Sequence, residues 1–100
     1  MFFVETLDHT FIKVNGRYFI VDTCYTVDCG WETGIAEVYA DRIKEEIFDG
    51  EPITDEDVEN YAEESWDFMG EWKVQNYSTR KQAEKGHERV CKNGRLDKED

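Results

Sequence analysis

From Phe2 to Val27, apolar and polar positions alternate over short runs rich in β-branched and aromatic residues, interrupted by turn residues at Asp8-His9 and Asn15-Gly16. Alternation with a period of two turns one side of each run toward a core and predicts strands. Residues 10–14, Asn15-Gly16 and residues 17–23 together predict a β-hairpin, because Asn-Gly accepts the positive φ angles of a type I′ turn. Residues 2–7 are expected to add a third strand and 31–38 a fourth. The stretch 35–48 carries two signals. Ile35, Tyr39, Ile43 and Ile47 recur every four positions as on a helix, whereas Trp31-Glu32-Thr33 begins as a strand, so 39–48 stays open between the two.

Asp49-Gly50-Glu51-Pro52 breaks the pattern, and Thr54-Asp55-Glu56-Asp57 opens a helix with Thr54 as its cap and acids at its positive end. Val58, Tyr61, Ala62, Ser65 and Met69 share one face of that helix, which Gly70 ends. Residues 72–77 alternate as a last strand. Thr79 with Gln82 forms a capping box for a second helix, which presents Ala83, Gly86, His87, Val90 and Cys91 inward and stops at Asn93-Gly94. The expected architecture is a single α+β domain over residues 1–94, a small, mainly antiparallel sheet with two helices against it, followed by a disordered charged tail over 95–100.

One hundred residues suffice for one core and not two. The 14 aromatic residues exclude a chain disordered throughout. Twelve basic residues against 24 acidic ones give a formal charge of −12, which argues against nucleic acid as a direct ligand, since phosphate contacts need Lys and Arg. No apolar run approaches the roughly 20 residues of a spanning helix. The start Met1-Phe2-Phe3-Val4-Glu5 lacks the basic region of a signal peptide. A cytoplasmic location is expected, where three cysteines serve as thiols or metal ligands rather than as a disulfide framework.

Cys24-x4-Cys29 follows a strand, and His87-x3-Cys91 places two ligands one turn apart on a helix. Two ligands from a loop and two from a helix suit a structural zinc site, so Cys24, Cys29, His87 and Cys91 are the candidate metal ligands, with His9 as a spare. The alternative is that Cys24 and Cys91 are buried as apolar residues, Cys29 sits in a turn, and His87 hydrogen-bonds locally. A closed site with three sulfur ligands leaves no position for a catalytic water. Ser65 and Ser78 have no evident histidine partner, no phosphate-binding glycine loop occurs, and Cys29 as nucleophile would compete with its role as ligand. An enzyme is not expected.

Between Asp41 and Glu71 stand 13 acids and two bases, Arg42 and Lys44, which accounts for −11 of the −12. Such a segment serves solubility at least. A folded negative surface of this density also attracts a basic groove and competes with nucleic acid for it.

The run from Tyr77 through Thr79, Ala83, Gly86 and His87 to Val90, with Phe3-Val4-Glu5-Thr6, Val14-Asn15-Gly16 and Trp31-Glu32-Thr33, resembles a group of small phage-encoded proteins that share an aromatic residue followed by a Thr-capped helix containing Ala-x-x-Gly-His. With its acidity and its Cys/Cys/His/Cys set, the chain also looks like the zinc-binding anti-CRISPR proteins that inhibit the type II effector nuclease. That resemblance implies an inhibitor that binds the recognition lobe in the bacterial cytoplasm and blocks DNA loading; a monomer is expected. The resemblance implies zinc on Cys24, Cys29, His87 and Cys91, and the partner surface on the acidic segment, where Glu59, Glu63, Glu64 and Asp67, then Glu56 and Asp57, are the candidate contacts. The rival expectation is a small phage accessory or structural protein with a phage partner, whose acidity serves only solubility.

Overall fold

Asn15 and Gly16 take φ angles of 53° and 78°, the pair of positive values that a two-residue type I′ turn requires. They join β1 (Phe3–Val14) to β2 (Arg17–Thr26), and the turn sets the register, with Val14 opposite Arg17 and Thr10 opposite Val21. The structure, a computed structural model, describes residues 3–27, 30–64 and 66–97. β3 (Gly30–Val38) and β4 (Lys73–Tyr77) extend the hairpin into an antiparallel sheet of order β1-β2-β3-β4. The break expected at Asp8-His9 does not divide the first strand. The chain instead absorbs the irregularity as register shifts between Phe3 and Glu5 and between Thr6 and Asp8, so one long strand replaces two short ones.

Strand alternation gives the sheet two apolar faces, and each is covered. On one, Phe19, Val21 and Ile35 pack with Val90 of α3 (Arg80–Asn93) and with Leu96 beyond it. On the other, Ile20 and Val38 pack with Ile43 of α1 (Ala40–Phe48), Val58 and Ala62 of α2 (Asp55–Glu64), and Phe68 of a 3₁₀ turn, Trp66–Phe68. The α+β architecture is as expected, with one α-helix more than the two foreseen, because residues 40–48 are helical. The longer expected helix stops at Glu64. Met69 instead makes an isolated bridge with Val38, and Ser65 lies outside the described residues. Within the stretch expected to be a disordered tail, Leu96 is buried and Asp97 is held by Arg89 and Tyr77.

Both expected caps form. Thr54 Oγ1 accepts from the Asp57 amide at 3.1 Å while Asp57 Oδ2 accepts from the Thr54 amide at 3.0 Å, a reciprocal capping box. Thr79 Oγ1 accepts from the Gln82 amide at 3.2 Å, and Gly94 closes α3 with its N–H on the Val90 carbonyl. Gly86 serves packing rather than backbone freedom. A Cβ there would fall within the ring of Tyr77, whose hydroxyl donates to Asp97 Oδ2 at 3.0 Å. Gly86→Ala is therefore expected to cost about 2 kcal/mol despite alanine's better helix propensity, since overpacking costs about 1–3 kcal/mol and the Tyr77–Asp97 bond is displaced with the ring. A urea melt checks this; a variant as stable as the parent would show that the ring moves freely.

Candidate functional site

The acidic segment folds into the helical layer. Of the 13 acids from Asp41 to Glu71, all but Asp57 are exposed, and Asp57 is engaged in the cap. Val58 and Ala62 turn inward, so helical geometry directs Glu56, Glu59 and Glu63 along one outward stripe at i, i+3 and i+7, with Glu64 beside it. Asp55 fastens the start of α2 to the hairpin, accepting from Tyr18 Oη and from Lys13 Nζ at 3.2 Å. The Tyr18 hydroxyl, then the Lys13 ammonium, hold its carboxyl below the usual aspartate range. Glu63 approaches His9, whereas Glu56, Glu59 and Glu64 have no basic partner among the described residues. The structure thus brings together four of the six expected partner-binding residues. Asp57 is turned toward the cap, and Asp67 belongs to the 3₁₀ turn.

The candidate metal ligands are distributed otherwise. His87 is 3 % exposed and lies on the α3 side of the sheet. Its Nδ1 lies 2.7 Å from Thr23 Oγ1, and its Nε2 lies 2.9 Å from Thr10 Oγ1 and 3.5 Å from Asp8 Oδ2. Cys91, one turn further along α3, sits beside Thr10, and burial pushes its thiol pKa up. Cys24 follows Thr23 on β2. Alternation along the strand therefore sends its side chain to the other face, where its thiol lies 3.8 Å from Glu32 Oε1. Cys29 lies outside the described residues. The expected convergence of Cys24 on His87 and Cys91 is not what the fold produces, because it would require a side chain to cross the sheet. Among the described residues no group of three or more His, Cys, Asp or Glu is arranged to hold a metal ion.

Hydroxyls surround the imidazole. Asp8 can only accept, so its approach to Nε2 suits the tautomer with hydrogen on that nitrogen. Nδ1 then accepts from Thr23, whose oxygen accepts from Thr33 at 2.7 Å, both threonines being fully buried. This relay joins β1, β2, β3 and α3 through one side chain. Desolvation lowers the His87 pKa more than the nearby Asp8 and Asp22 carboxylates raise it. No sequence spacing marks Thr10, Thr23 and Thr33 as partners of His87, although the Asn15-Gly16 register sets Asp8 against Thr23 and Thr10 against Val21.

A second polar group faces the acidic layer. His9 on β1 and Asp22 on β2 meet Glu63 of α2 at a cavity of about 390 Å³ walled by Ile20, Ala62, Met69 and Trp72. Comparisons with known protein families, with curated proteins and with solved structures find no match for this chain. Among the described residues no helix is long and apolar enough to cross a membrane.

Proposed function

We propose that the chain is a non-enzymatic inhibitor that lays its acidic helical layer on the nucleic-acid-binding surface of a basic partner, and that the partner is the type II CRISPR effector nuclease in the bacterial cytoplasm. The observation that carries the surface is the outward stripe of Glu56, Glu59 and Glu63, with Glu64 beside it, on a helix capped at Thr54 and pinned by Asp55. A packed helix already orders the backbone that carries these carboxylates, so less entropy is lost on docking than for the same charges on a loop. Their repulsion, unrelieved in the free chain at Glu56, Glu59 and Glu64, is relieved against Lys and Arg. The choice of nuclease rests on the resemblance of the sequence to anti-CRISPR proteins.

The test is binding of the purified chain to the purified nuclease, with and without guide RNA, at about 50 and 500 mM salt. Expected are binding at low salt, loss of at least about tenfold in affinity at high salt, and competition by target DNA. Absence of binding at low salt would discard the nuclease and favour the accessory-protein reading, in which the acids serve solubility.

A further inference from the structure

The cavity between sheet and α2 combines features that the acidic stripe alone lacks. His9 Nδ1 is 3.8 Å from Asp22 Oδ2, and its Nε2 is 3.4 Å from Glu63 Oε1, so the ring spans two carboxylates. Each carboxylate offers about four lone-pair sites, so one imidazole leaves most of them open to a further donor. Asp22 Oδ1 is buried and accepts no hydrogen bond among the described residues. Among the described residues the lining holds two carboxylates and no Lys or Arg, while Trp72 and Met69 supply a flat, polarizable wall. A volume of about 390 Å³ lies within the range of small-ligand sites.

We infer that this cavity is an anchor for an arginine side chain presented by the partner. A guanidinium is planar and weakly hydrated, stacks on indole, and offers a fork of N–H donors that can reach both carboxylates at once. An ammonium meets the charge but not the wall. The inference rests on the reading above in that Glu63 belongs both to the acidic stripe and to the cavity, so one arginine entering beside α2 would engage both.

The pocket can be tested on the chain alone. N-acetyl-arginine amide is titrated into ¹⁵N-labelled protein, following the Trp72 indole N–H and the Ala62 amide, with N-acetyl-citrulline amide as the uncharged control of nearly the same shape. Saturable shifts are expected at about 1–10 mM for the arginine compound, with the citrulline compound at least about tenfold weaker. Asp22→Asn and Glu63→Gln are each expected to weaken binding at least about fivefold. Glu63 is half-exposed, so Glu63→Gln keeps its fold and decides the matter even if Asp22→Asn does not. Equal binding of the two amides, or an unchanged affinity in Glu63→Gln, would overturn the inference. Arginine amide bound as expected with no nuclease binding leaves the anchor standing and removes the nuclease. Nuclease bound through α2 with no amide binding removes the anchor alone.

Discussion

Replacing His87 with alanine is expected to cost about 3–5 kcal/mol, a large share of what a domain of this size possesses. Two effects add. Removing a buried ring leaves a cavity beside Thr10 and Thr23, and large-to-small changes of that kind cost about 2–5 kcal/mol. The hydroxyls of Thr10 and Thr23 also lose a hydrogen bond to the imidazole, worth about 1 kcal/mol each, although Thr23 keeps Thr33 as a partner. His87→Asn, which keeps a donor and an acceptor, should recover part of the loss. Equilibrium urea denaturation measures all three proteins, and a His87→Ala variant within about 1 kcal/mol of the parent would show that the relay contributes little.

The same residue makes stability pH-dependent, with a sign that follows from its environment. Burial lowers the folded-state pKa of His87 below the ordinary imidazole value of about 6.5. Above that value neither state holds the proton, and the stabilisation is complete. As pH falls from about 6.5 toward the folded-state pKa, the unfolded chain takes up a proton that the folded chain refuses, and stability declines. His87→Asn should flatten this part of the profile. An equal decline in parent and variant would assign the acid sensitivity to other groups.

Where the chain solves its structural problem locally, the sequence is readable. Asn15-Gly16 imposes its turn because few dipeptides accept two positive φ angles, and Thr54 with Asp57 and Thr79 with Gln82 satisfy orphan amides within a few residues. The acidic stripe was equally legible, since a capped helix with Val58 and Ala62 inward leaves Glu56, Glu59 and Glu63 nowhere to point but outward. Around residues 35–48 the four-residue spacing signals the helix that forms over Ala40–Phe48 but not its buried face. Ile35 is in a strand, Tyr39 precedes α1, and Ile47 is 42 % exposed, so only Ile43 of the four is a buried residue of the helix. Spacing that runs across a strand–helix junction does not describe a face.

The cysteines illustrate a different limit. His87 and Cys91 do share a side of α3, as their spacing implies, and Thr10 lies against both. Whether Cys24 can join them depends on parity along β2 and on which face α3 covers. Parity is readable, for Cys24 falls in step with Ile20 and Asp22 while Thr23 falls in step with Val21. The choice of face is not, since both faces of this sheet are apolar enough to receive a helix. A one-residue difference between Cys24 and Thr23 thus separates a ligand set from a hydroxyl relay.

Reversing Glu56, Glu59, Glu63 and Glu64 to lysine is expected to weaken partner binding at least about 100-fold while leaving the fold intact. Each reversal changes the charge by two, so the formal net charge moves from −12 to −4. Like charges brought into an interface cost several kcal/mol, and each 1.4 kcal/mol is tenfold in affinity. The helix itself should tolerate the change, because all four side chains are exposed and removing the Glu59–Glu63 repulsion at i, i+4 offsets new repulsion of similar size. Bulk charge needs its own control. Reversing Asp41, Glu45, Glu46 and Asp49 on and beside α1 gives the same net charge but leaves the α2 stripe untouched. If the stripe is the docking surface, the α2 variant loses binding and inhibition while the α1 variant keeps affinity within about fivefold, its loss confined to slower association. Equal loss in the two would mean that the partner senses overall charge rather than this helix, and undiminished inhibition by the α2 variant would remove the stripe from the interface altogether.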